Sequence, residues 1–105
     1  MRKLKSGKFL IEPTVRSSLL GLWDFLDTNP DSRGYQETTE EFMQPIRVIM
    51  EKMRKNEPLT LDEVDRLVDW RQPKGTYRAD PDGGTAYLKF IKQFCELKRN
   101  EQTTN

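Results

Sequence analysis

A chain of 105 residues is the length of one domain with one modest core. Its 18 basic and 17 acidic residues leave a net charge of +1, which excludes both the global polycation of a charge-driven nucleic-acid binder and the polyanion of a DNA mimic. A single cysteine excludes an internal disulfide framework, and the absence of histidine removes the commonest general base and transition-metal ligand.

Residues 1–8, MRKLKSGK, carry Arg2, Lys3, Lys5 and Lys8. They read as a basic arm, either a fraying terminus or a segment that contacts phosphate. No apolar run follows them, so a signal peptide is not expected. Residues 9–12, FLIE, form a short extended piece that Pro13 ends, because proline disfavours helix at the preceding residue. From Pro13 the period changes. Val15, Leu19, Leu22 and Leu26 recur at helical spacing, widened by Leu20 and Trp23, and Pro13 or Thr14 suits the first turn. Gly21 costs such a helix about 1 kcal/mol against alanine and offers room for a close helix crossing. Asn29, Pro30 and Gly34 punctuate the loop that follows.

Thr38 and Glu41 fit a capping box before a second helix, whose stripe is Phe42, Ile46, Ile49 and Met53, with Met50 beside it. Pro45 either kinks this helix or marks its true start. Lys and Arg in EKMRKN suit the negative end of its dipole. Thr60 and Glu63 make another capping box and open a third helix striped by Leu61, Val64, Leu67 and Val68. A long connection spans residues 71–84, where Asp80-Pro81-Asp82-Gly83 is a type I turn signal. Thr85 then caps a fourth helix, with Tyr87, Phe90, Ile91, Phe94 and Leu97 on one face. The expected fold is all-α: four helices in a single domain, a long loop between helices three and four, and room for a minor two-stranded pairing between KFLI and GTYRA. The expected organisation is a basic arm and extended segment at 1–12, a helical domain at 13–98 and a polar tail at 99–105.

No constellation of catalytic residues emerges. Asp80, Asp82 and Gly83 briefly resemble part of a calcium loop, but Arg78 and Lys89 then stand where two carboxylates are required. Cys95 has no histidine to activate it and reads as a core-boundary residue. Ser17 and Ser18 lack a nucleophile elbow. Paired acids such as Asp24 with Asp27, Glu40 with Glu41, and Asp62 with Asp65 and Asp69 arise by chance at this acid content. The turn between helices two and three invites a DNA-reading helix-turn-helix, but Asp62, Glu63, Asp65 and Asp69 outnumber Arg66 and Arg71 on the third helix and would repel phosphate. Met43, Met50 and Met53 fit either a core or an adaptable peptide groove.

The functional lead is WRQPKGTYR. Trp70, Arg71, Lys74, Tyr77 and Arg78 interleave aromatic faces with cations. That chemistry suits a protein hot spot, stacking on unpaired bases, or plain capping of the core with solvated cations. The reading is a non-enzymatic regulator or adaptor that binds another protein, of a size that suits an accessory factor of a virus or mobile element. The first alternative is an RNA or single-stranded DNA binder using residues 70–78 with Arg2, Lys3, Lys5 and Lys8. The second is a small enzyme with converging carboxylates. No metal, cofactor or membrane partner is expected, a homodimer would cover any apolar strip left by the helices, and the expected setting is cytoplasmic.

Overall fold

A computed structural model describes residues 1–29, 31, 39–71 and 85–103. In chain order the elements are β1 (Arg2–Lys3), β2 (Phe9–Leu10), α1 (Pro13–Thr28), α2 (Glu40–Arg54), α3 (Leu61–Arg71) and α4 (Thr85–Thr103). The four-helix, all-α expectation is correct. The helix periods deliver the core: Val15, Leu19 and Leu26 from α1, Met43, Ile46, Ile49, Met50 and Met53 from α2, Val64, Leu67 and Val68 from α3, and Tyr87, Phe90, Ile91 and Phe94 from α4 are all buried. The α2 methionines are therefore packing residues, and the peptide-groove reading of them falls. α2 packs on α3 and α1, and α1 packs on α4.

Local chemistry sets the boundaries. Pro13 occupies the first turn of α1. Thr39, not Thr38, is the residue before α2; its carbonyl accepts from the N–H groups of Phe42 and Met43, and its side chain makes no cap. Thr38 lies outside the described residues. α2 runs unbroken through Pro45. Burial of Met43 on one side of the proline and Ile46 on the other holds both halves against the same core, which outweighs one lost backbone hydrogen bond. The capping box before α3 is formed as the sequence dictates: Glu63 N–H donates to Thr60 Oγ1 at 3.1 Å, and Thr60 N–H donates to Glu63 Oε1 at 3.0 Å. α4 continues to Thr103, so the helix takes in residues 99–103 of the polar tail.

The N-terminal segment differs most from expectation. β1 and β2 pair antiparallel, Arg2 opposite Leu10 and Lys3 opposite Phe9. Their connection turns on Gly7, whose φ of 88° is a conformation that side chains disfavour. Gly7 N–H donates to the Leu4 carbonyl at 3.0 Å, and Leu4 N–H donates to the Lys8 carbonyl at 2.8 Å. On its other side Phe9 exchanges both backbone hydrogen bonds with Leu59, at 2.8 and 2.7 Å. The KFLI segment thus finds its partners at Arg2–Lys3 and Leu59, while GTYRA lies outside the described residues. Met1, Phe9, Ile11 and Leu59 are buried in the common core, so the arm is a docked hairpin and not a fraying end.

The turn between α2 and α3 closes the arrangement. Asn56 adopts the left-handed conformation, with φ of 56°. Asn56 N–H donates to the Met53 carbonyl at 3.1 Å, and Glu57 N–H to the Lys52 carbonyl at 2.8 Å, the two bonds of a Schellman helix end. Asparagine is the residue other than glycine that tolerates this backbone best.

Gly21 is exposed on α1, and a Cβ added there would meet no atom within 4 Å. No close helix crossing uses it. Gly21→Ala is therefore expected to stabilise the protein by about 1 kcal/mol in urea denaturation, through helix propensity alone. A loss of stability would show that the position is crowded.

Candidate functional site

The third helix delivers its last aromatic inward. Trp70 is 2% exposed, and its ring meets Trp23 of α1 edge-on, with centroids 5.6 Å apart at an interplanar angle of 62°. An edge-to-face pair of this kind adds to the stabilisation from area burial. Trp70 is therefore a core residue, the inward placement that the sequence left open beside a partner-facing one. Arg71, half-buried at the end of the same helix, places its guanidinium 5.2 Å from the centre of the Tyr87 ring on α4. That cation–π contact joins α3 to α4 across the long connection. Lys74, Tyr77 and Arg78 lie outside the described residues, so of the five residues singled out in this stretch the structure places two, both making contacts within the fold.

The second candidate group is placed in full. Arg2, Lys3, Lys5 and Lys8 are all exposed on the hairpin. Two sets of contacts fix that hairpin. One is the Phe9–Leu59 backbone pair. The other is at Met1, whose ammonium donates to Gln93 Oε1 of α4 at 2.6 Å and to Glu12 Oε1 at 3.2 Å, while Gln93 Nε2 donates back to the Met1 carbonyl at 2.7 Å. The hairpin cations make no ion pair among the described residues.

Other charges are engaged in holding elements together. Arg54 of α2 pairs with Asp24 of α1, Lys52 of α2 with Glu63 of α3 at 2.7 Å, and Lys98 of α4 with Asp65 of α3 at 3.7 Å. Glu63 is the most constrained of these acids. Partial burial opposes its ionisation, but the hydrogen bond from Lys52, the backbone N–H of Thr60 and the Lys52 charge together draw its carboxyl below the ordinary value of 4.5. Among the described residues, no group of three or more acids or cysteines is placed to hold a metal ion. No helix among them is long and apolar enough to cross a membrane.

The hairpin also creates a concavity that the sequence did not reveal. An open cleft of about 330 Å³ lies where β1, the start of α1 and the α2–α3 turn meet, lined by Arg2, Leu10, Ile11, Glu12, Pro13, Arg16 and Asn56. Arg16 Nη1 donates to Asn56 Oδ1 at 2.5 Å. Arg16 and Asn56 carry no motif that marks them in advance; the only available signal was an asparagine just past the basic end of a helix, where a left-handed residue is expected. Comparison with protein-family models, curated proteins and solved structures finds no match to this chain. The surface leaves Phe25 52% and Val48 45% exposed, on different helices, and these are single residues of a kind that need no special explanation.

Two outcomes follow. Trp70→Ala is expected to cost about 3–5 kcal/mol in urea denaturation, the range for removing a buried aromatic; a cost under about 1 kcal/mol would place the ring at the surface. For Glu63, a folded carboxyl below its unfolded value contributes stability that is present above pH 4.5 and is lost as pH falls through the folded value. The stability gap between the wild type and Glu63→Gln is therefore expected to be open at neutral pH and to narrow in acid. A gap independent of pH would remove the ionic contribution.

Proposed function

We propose that this chain is a small, non-enzymatic binding module that acts by contacting another protein, and that the contacting surface is the N-terminal hairpin. One observation carries the reading: Arg2, Lys3, Lys5 and Lys8 are exposed and without ion pairs among the described residues, on a segment held to the core by backbone hydrogen bonds and by Gln93. A charged surface that is already ordered loses less conformational entropy on binding than a free arm would. It also steers a partner of opposite charge, so the partner expected is a protein with an acidic face. The commitment of Asp24, Glu63 and Asp65 to ion pairs between elements supports a binding role over carboxylate catalysis.

The same unpaired cations favour one second reading, a single-stranded nucleic acid held by its phosphates. The two separate on salt and on ligand. Lys3→Glu/Lys5→Glu/Lys8→Glu is expected to abolish capture of an acidic protein partner while leaving the fold intact by circular dichroism. Labelled single-stranded RNA and DNA are expected to give no anisotropy change at physiological salt. Micromolar binding of either strand, falling steeply as salt rises and lost in the triple variant, would replace the protein-partner reading with the nucleic-acid one.

A further inference from the structure

We propose that the cleft between β1, α1 and the α2–α3 turn is a binding site for a phosphate monoester carried on a small apolar body. This goes beyond the partner-binding reading and does not depend on it. The donors come from separate parts of the fold. Arg2 stands on the hairpin, its side chain exposed and without an ion-pair or hydrogen-bond partner among the described residues. Arg16 stands on the first turns of α1, and Asn56 on the left-handed turn after α2. The Asn56 carbonyl oxygen accepts from Arg16, so the group its side chain has left for a ligand is the NH₂, a donor. The same bond fixes the Arg16 guanidinium in the cleft, so an arriving anion meets a partly organised site.

Charge and shape select the ligand class. Guanidinium groups on different elements converge best on an anion with several oxygens and more than one negative charge, which a phosphate monoester supplies and a carboxylate does not. Glu12 also lines the cleft, but its carboxylate accepts from the Met1 ammonium, so the local balance stays positive. Leu10, half-buried, and Pro13, exposed, give the cleft an apolar side, suited to the organic body of the ester. A volume of about 330 Å³ is at the small end of the range for ligand sites, which fits a compact molecule and not a polymer.

The test is a titration of the isotope-labelled full chain, followed by amide chemical shifts, at constant ionic strength. The probes are phenyl phosphate, inorganic phosphate and benzoate. Phenyl phosphate is expected to saturate, with shifts centred on residues 10–16 and Asn56. Benzoate, of similar body but with a carboxylate, is expected to bind at least about tenfold more weakly. Arg2→Gln and Arg16→Gln should each weaken phenyl phosphate about tenfold or more, whereas Arg66→Gln/Lys89→Gln, which removes exposed charge from α3 and α4, should not. Arg2 is exposed on the hairpin edge, so its variant remains informative if Arg16→Gln loosens the fold. Shifts that do not saturate, shifts spread over all exposed cations, equal binding of benzoate, or equal weakening by the Arg66/Lys89 variant would each overturn the proposal.

Discussion

The left-handed turn at Asn56 and the residues that follow it are the point on which the rest of the fold depends. Asn56 ends α2 by a Schellman motif, Leu59 pairs its backbone with Phe9, and Thr60 opens α3 by a capping box. Glu63, the reciprocal partner in that box, also accepts from Lys52 one helix earlier. A short run of chain therefore fixes the angle between two helices and supplies the edge on which the N-terminal hairpin docks. Leu59 sits at its centre with 0% exposure, so its two backbone hydrogen bonds to Phe9 join buried residues, whereas the Thr60–Glu63 box beside it is exposed. Hydrogen bonds that are satisfied and partly shielded in this way discriminate strongly against alternative arrangements, because breaking one leaves a buried group unpaired.

Docking of the hairpin has an electrostatic consequence. The chain as a whole is nearly neutral, yet its charges are unevenly employed. Lys52, Arg54 and Lys98 neutralise acids across helix boundaries, whereas Arg2, Lys3, Lys5 and Lys8 are carried outward on a segment whose Met1 and Phe9 face the core. β1 is exposed at both of its residues, and Lys5 lies in the turn that joins it to β2. A terminus that merely frayed would present the same charges with no defined geometry. Held by Leu59 and Gln93, it presents them as a fixed surface and brings Arg2 to the cleft that Arg16 and Asn56 also line.

The helices were legible in the sequence because their apolar stripes repeat with the period of the α-helix. Val64, Leu67 and Val68, and Phe90, Ile91 and Phe94, go where that period sends them. The Thr60–Glu63 box was legible for a related reason: its partners are three residues apart and the geometry is local. The hairpin was not legible. Strands of two residues are too short to show alternation, and their stabilising partners, Leu59 and Gln93, are far away in sequence. Trp70 was ambiguous because it lies at the end of its helix, where the stripe alone does not decide between inward and outward; the meeting with Trp23 decides it. The cleft was invisible for a third reason. Arg2, Arg16 and Asn56 share no period or motif, and only the docking of one element on two others brings them together.

Native-state hydrogen exchange at the Phe9 and Leu59 amides tests this picture most directly. If the hairpin is part of the cooperative fold, both amides exchange as slowly as those of Ile49 and Val68 in the helical core, and all four slow together as denaturant is removed. If Phe9 and Leu59 exchange near the rate of an unstructured chain while Ile49 and Val68 stay protected, the hairpin opens independently of the helices. The hairpin would then be a free basic arm, and neither a fixed cationic surface nor a preformed cleft would exist.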